Sequence, residues 1–292
     1  MRHKIWAFLR LTRPLFLFGG VVLNALGIAV AATQGYAIDV GRALLGQILI
    51  TSIQLLAHYS NEYFDFEVDR LIGTQRTWFS GGSGVLAAGE LDRAVPRRAM
   101  IVCAVIAVIA LALASVQVPI MLLIGSISLA GAYFYSAPPL ALMGRGWGEL
   151  STGVLTGLLV PTTGYAMQTG RVDVALLPSC LPLVLVYIAM IIAFQFPDRE
   201  ADFIVGKRTL TVRLGLARAG QLHNALIAFG LVTLLLSTAR WAWLIAPLAV
   251  GQMIFVAWKT RSGGEHYRWL TTGAVVLSGL LPLLRLIDLL TL

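Results

Sequence analysis

The sequence predicts an all-α integral membrane protein built from nine transmembrane helices. Three observations carry that expectation. Of 292 residues, 58% are hydrophobic and 12% are charged, about half the ~25% charged residues of soluble domains. Mean hydropathy is +0.82. The apolar residues gather into runs of about the 20 residues that a helix needs to cross a bilayer. The 22 Lys and Arg then fall unevenly between those runs, 18 on one side and 4 on the other.

Taken in order, residues 1–13 (MRHKIWAFLRLTR) mix cations with Trp, Phe and Leu, the pattern of an amphipathic helix lying on the membrane surface. The first run, 15–32, carries AVA at 29–31, which resembles a signal-peptidase site. It is long for a signal peptide and holds Asn24, so an uncleaved span is expected. Further runs cover 44–61, 98–116, 118–135, 148–168, 174–196, 219–238, 241–259 and 270–290. Segments such as VCAVIAVIALALASV are apolar on every side, which excludes the alternation of barrel strands. Cationic loops on the N-terminal side put the N-terminus in the cytoplasm, with the cell membrane as the expected location. With only three Lys in so apolar a chain, the net charge of +8 reflects this topology and not a nucleic-acid partner. Cys103 and Cys180 lie inside apolar runs and read as packing residues.

The acids carry the chemistry. Seven of the 14 Asp and Glu sit in NEYFDFEVD (61–69) and DREAD (198–202), each directly after an apolar run and on the same expected side. Asn61, Asp65 and Asp69 are four apart, as are Asp198 and Asp202, so each set forms a stripe along one helix face. Carboxylates stacked at helix C-termini repel one another and the helix dipole, so a cation is needed. Hard oxygen donors without His or Cys point to Mg²⁺ shared with a phosphate. Arg70 and Arg76 follow the first stripe, and Lys207, Arg208 and Arg213 the second. Such bases suit the oxygens of a diphosphate, although cytoplasmic loops are basic in any case.

These motifs resemble the UbiA superfamily of intramembrane aromatic prenyltransferases. N-x-x-x-D-x-x-x-D is matched by Asn61, Asp65 and Asp69, and D-x-x-x-D by Asp198 and Asp202, followed by GKRTLTVRLG (206–215). TRP (12–14), YSAPPL (135–140) and GRGWGEL (144–150) also resemble family segments. SGGSGVLAAGEL (80–91) is similar to the branch that prenylates dihydroxynaphthoate on the way to menaquinone. The chain departs from the pattern at Gln195, where Asn residues are usual, leaving Gln195 as a polar ligand or a phosphate contact. Pro197 should bend or end its helix before Asp198.

The resemblance implies one domain over 1–292, with nine helices around a central cavity that is capped on the cytoplasmic side and open sideways to lipid. It implies two Mg²⁺ held by Asp65, Asp69, Asp198 and Asp202 with Asn61, and a prenyl diphosphate clamped by Arg70, Lys207 and Arg208. An aromatic acceptor, a quinone precursor such as 1,4-dihydroxy-2-naphthoate, completes the reaction, and no obligate protein partner is expected. Tyr135 and Tyr63 would face the allylic cation or the ring, or else sit as interfacial aromatics. Asn24 would touch the acceptor or bond a neighbouring helix. His58 is either a catalytic base or a packing histidine. Arg285 and Asp288 read as a local ion pair. The alternatives are a multi-span transporter of a small or lipid-like solute, or an enzyme of this type with a non-quinone acceptor.

Overall fold

The computed structural model describes residues 2–235, 237, 239–262 and 267–291. Among them there are helices and no strands. The chain runs α1 (Arg2–Thr12), α2 (Pro14–Thr33), α3 (Val40–Phe64), α4 (Phe66–Ile72), α5 (Ala94–Gln117), α6 (Met121–Phe134), α7 (Gly148–Thr152), α8 (Val160–Thr169), α9 (Leu177–Ile204), α10 (Leu210–Leu234), α11 (Ala246–Ser262) and α12 (Arg268–Leu290). Six segments are long and apolar enough to cross a membrane: those of α2, α3, α5, α9, α11 and α12.

The remaining three expected spans are helical but less regular. The run at 118–135 yields the 14-residue α6. The run at 148–168 is α7, a π-helical stretch over Gly153–Leu159, and α8. Pro161 has no N–H to give to Gly157, and the wider turn re-pairs the backbone, with Val160 N–H donating to the Leu155 carbonyl. The run at 219–238 falls in α10, which starts earlier and kinks at Gly215 (φ 74°); positions 236 and 238 of that run lie outside the described residues.

The core centres on α9, which packs along α10 and against α12, while α2 packs on α8 and α3 on α5. The α2–α8 crossing is close enough that a Cβ on Gly164 would collide with the backbone of Asn24. Asn24 is therefore held at a helix crossing and donates to Gln47 Oε1 at 3.1 Å. That is the bond to a neighbouring helix expected of it. Cys103 and Cys180 are free and buried. Helix α1 buries Ala7 and Leu11 against Leu56, Tyr59 and Cys103 and leaves Ile5, Trp6 and Leu9 exposed.

Pro197 does not end its helix. Helix α9 continues to Ile204, so Asp198 and Asp202 stay on one face. At the other end of the bundle, Arg285 and Asp288 are both buried and lie 3.2 Å apart. Asp288 also accepts the backbone N–H groups of Arg240, Trp241 and Ala242 at 2.8, 2.6 and 3.1 Å. Arg285 reaches Ser179 Oγ on α9. The pair thus ties α12 to α9 and to the start of the segment that leads into α11. Asp288→Ala leaves Arg285 without its counter-ion and should cost about 3–5 kcal/mol, read as a lower unfolding midpoint in detergent. Arg285→Met, which keeps the backbone donors on Asp288, should cost clearly less.

Candidate active site

The two acidic stripes meet. Helix α3 stops at Phe64 and α4 starts at Phe66, with Asp65 at the joint. The joint keeps helical spacing, because Asp65 N–H donates to the Asn61 carbonyl and Asp69 N–H to the Asp65 carbonyl, both at 2.9 Å. Asn61, Asp65 and Asp69 therefore share one face. They line a cavity of about 540 Å³ together with Asp198 and Asp202 of α9. The Asn61 amide donates to the Asp65 carboxylate and to Ser136 Oγ.

Lys207 connects the two stripes. Its Nζ lies 2.9 Å from Asp65 Oδ1 and 3.8 Å from Asp202 Oδ1. The turn after α9 puts it there: Lys207 N–H donates to the Asp202 carbonyl, and Arg208 N–H to the Gly144 carbonyl, both backbone bonds. Burial works against the ammonium, but Asp65, Asp202 and Asp69 outweigh it and push its pKa up. Asp69 is the complementary case. Burial, then the neighbouring Asp65 and Glu62 carboxylates, hold its pKa up at about 8. Crowded buried carboxylates of this kind call for more positive charge than one lysine supplies.

Among the described residues, no three His, Cys, Asp or Glu side chains converge tightly enough to cage an ion alone. They fit an ion shared with a phosphate ligand. Asp198 Oδ1 is buried with no hydrogen-bond partner among the described residues, and every donor atom in the set is a hard oxygen or an amide. Mg²⁺ binds in this manner, taking one or two carboxylates and completing its shell with water and phosphate oxygens.

Sequence reasoning had not assigned Arg13 a role, yet it lines the same cavity. It sits between α1 and α2 with a left-handed backbone (φ 51°), and Nη2 pairs with Glu62 Oε1 at 2.5 Å. Glu62 is buried and also accepts Ser83 N–H and Oγ–H at 2.6 and 2.8 Å. Burial opposes the Arg13 charge, while Glu62, Asp69 and Asp65 raise its pKa. The signal available was TRP (12–14), an arginine immediately before the first span. The Gly-rich loop packs on the same site. Gly82 (φ 68°) faces the Asp69 carboxylate so closely that a Cβ there would collide with it.

Other expected residues are placed elsewhere. Arg70 is exposed and pairs with Glu67 at 3.4 Å, and Arg208 is exposed; neither lines the cavity. Their positions face away because Arg70 is one residue past the stripe and Arg208 lies beyond the turn that aims Lys207 inward. Asn24 is absent from the cavity wall as well. Tyr135 does line it, with its hydroxyl 3.2 Å from Met143 Sδ. Tyr63 instead packs beside Phe64 and under the Arg93 guanidinium. Gln195 does not line the cavity. It is fully buried, donates to Glu149 Oε1 at 2.6 Å, and receives Thr211 from α10. Arg76 braces the Gly-rich loop through the Gly81 carbonyl, and Arg213 bonds the Arg145 carbonyl.

Away from the acids the cavity wall is mostly apolar, with Leu15, Phe16, Ile50, Ile53, Leu155 and Leu283 among its residues. Leu15, Phe18 and Leu280 line it and are also exposed on the outer surface. The result is a chamber with an anionic, cation-demanding end and a hydrocarbon body.

Comparison with known proteins agrees. The chain is 28% identical over 226 residues to the 1,4-dihydroxy-2-naphthoate octaprenyltransferase of Mycobacterium leprae, covering 76% of this chain and 74% of that one. It is 28% identical over 270 residues to the protein of the same name from Escherichia coli, covering 86% and 84%. In fold it is similar to a UbiA homologue from Archaeoglobus fulgidus solved with GPP and Mg²⁺, with a TM-score of 0.66, 20% identity, and coverage of 97% and 99%. The model of the UbiA prenyltransferase family matches residues 15–274, and the chain belongs to that family.

Proposed function

We propose that this protein transfers an isoprenoid chain from a prenyl diphosphate to an aromatic ring within the membrane, in a Mg²⁺-dependent reaction. The observation that carries the proposal is Lys207 lying within ion-pair reach of both Asp65 and Asp202 at the polar end of an apolar chamber. The named activity of the relatives supports 1,4-dihydroxy-2-naphthoate as the acceptor. The ligands bound to the archaeal homologue support a prenyl diphosphate donor with Mg²⁺.

Asp65, Asp69, Asp198 and Asp202, with Asn61, would hold two Mg²⁺ against the diphosphate. When bound, the metal supplies Lewis-acid stabilisation of charge on the leaving oxygen. Lys207 and Arg13 take the diphosphate oxygens that remain, because both cations line the cavity beside the acids. They act most strongly as the C–O bond ionises, since they are already oriented in a site shielded from water. The hydrocarbon wall receives the chain and keeps water from the allylic cation. Chains longer than the chamber run out sideways past Leu15, Phe18 and Leu280.

In this proposal one domain spans 1–292 and crosses the cell membrane nine times, with α6, the α7–α8 segment and α10 completing the six longer spans. The N-terminus is cytoplasmic, and the loops after α3 and α9 cap the chamber on that side. The apolar exposed side of α1 and the charge segregation support this orientation.

Asp65→Ala and Asp198→Ala should each lower prenyl transfer about 10²-fold or more with folded protein recovered in normal yield. Chelation should abolish turnover, and added Mg²⁺ should restore it; full activity in excess chelator would overturn the metal assignment. Lys207→Met should raise KM for the prenyl diphosphate and lower kcat, whereas Arg70→Ala and Arg208→Ala should stay within about threefold of the parent, a pattern read by steady-state kinetics. A cysteine placed at position 200 should react with an impermeant thiol reagent only from the cytoplasmic side of membrane vesicles.

A further inference from the structure

One tier below the carboxylates, the chamber wall changes character. His58 of α3 is three residues before Asn61, about 4.5 Å deeper along the helix. Phe194 of α9 is four residues before Asp198, about 6 Å deeper. Phe16 of α2 lies between them, its ring centroid 6.1 Å from His58 and 6.3 Å from Phe194, nearly edge-on to both. Phe79 closes a third side at 6.3 Å. All four residues line the cavity. This tier lies directly beneath the place for the diphosphate, where the reacting carbon of the donor must sit.

His58 Nδ1 is 3.0 Å from the Thr12 carbonyl oxygen. A carbonyl only accepts, so Nδ1 carries the ring proton and Nε2 holds the lone pair. Among the described residues, no hydrogen bond is made to Nε2. A histidine that serves packing alone has both nitrogens satisfied or turned away from space; this one is anchored on one nitrogen and lines the chamber. Gln54, four residues deeper, also lines the chamber, and its amide oxygen has no hydrogen-bond partner among the described residues. This wall therefore offers two acceptors to a ligand that brings hydroxyl donors.

We infer that His58 Nε2 is the general base that removes the hydroxyl proton of a hydroxyaryl acceptor seated among Phe16, Phe79 and Phe194. The inference rests on the prenyl-transfer reading above. In the step, the aryl O–H bond breaks, its proton goes to His58 Nε2, and the oxygen electron pair conjugates into the ring. A ring carbon then bonds to the allylic carbon as the C–O bond to diphosphate breaks, and that pair leaves with diphosphate. In the simplest acceptor the proton on the alkylated ring carbon then moves to the ring carbonyl oxygen, which restores the aromatic hydroxyl. The imidazolium passes its proton on to the departing diphosphate, and the Thr12 carbonyl returns the ring to its starting tautomer.

The test uses His58→Asn, whose amide can still donate to the Thr12 carbonyl but cannot act as a base. Two readouts are compared with the parent protein: Mg²⁺-dependent binding of a non-ionising prenyl thiodiphosphate, and transfer to hydroxyaryl acceptors of decreasing hydroxyl pKa. Donor binding should be unchanged. Transfer should fall about 10²–10⁴-fold for the least acidic hydroxyl, and the deficit should shrink as the acceptor becomes acidic enough to ionise unaided. Transfer within about twofold of the parent, or a deficit equal across the series, would overturn the inference. His58→Gln, measured in the same way, serves if the asparagine variant is recovered unfolded. A parent protein that transfers to no acceptor would instead defeat the underlying reading, so the two failures are distinguishable.

Discussion

Everything in this molecule turns on like charges gathered where water is scarce. Asp65, Asp69, Asp198 and Asp202 line one chamber whose other walls are mostly hydrocarbon. In such surroundings unpaired carboxylates are costly, and pairing them with cations recovers much of that cost. Lys207 between Asp65 and Asp202, and Arg13 against Glu62, show how the fold meets part of the demand with its own cations. The remainder, marked by the unpartnered Asp198 oxygen, is a demand for a ligand that carries positive charge with it.

The supporting structure explains why those charges stay in place. The joint at Asp65 preserves helical hydrogen bonding on both sides, so α3 and α4 act as one rail for three ligands. Helix α9 continues through Pro197 and forms the second rail. Buried polar links away from the chamber tie the second rail and the bundle's far end to their neighbours. Glu149 and Gln195 join α7 to α9, Gln195 and Thr211 join α9 to α10, and Asp288 gathers three backbone donors beside Arg285. In lipid, where apolar contact alone gives helices little preference for one another, such links supply the specificity of assembly.

Much of this was legible in the residues before any coordinates. The stripes of Asn61, Asp65 and Asp69 and of Asp198 and Asp202 could be read because helix period is a local property. Their meeting could be argued because both end apolar runs on the same side. Lys207 was legible for its nearness to the second stripe. Arg70 and Arg208 looked equivalent to it and are not, because Arg70 is one residue past its stripe and only the geometry of the turn after α9 says which of Lys207 and Arg208 faces inward. Arg13 lay hidden for the opposite reason: 49 residues separate it from Glu62, and no periodicity connects them. Gln195 looked like a ligand because it stands where Asn residues are usual before the second motif, yet it is one residue past the chamber-lining Phe194, a step of about 100° that turns it toward Glu149. The π-helical turn before Pro161 could not be placed from the sequence, since several re-pairings of the backbone satisfy the missing donor.

The chamber has two boundaries of opposite kind, one ionic and one formed by Leu15, Phe18 and Leu280 at the outer surface. On the proposed reaction, that contrast sorts what is made there. A polyanion partitions toward water through the charged end, while an alkylated ring, greasier than the ring that entered, partitions into the surrounding oil. The two departures do not compete for one doorway, and the unlike solubilities of the fragments draw them apart.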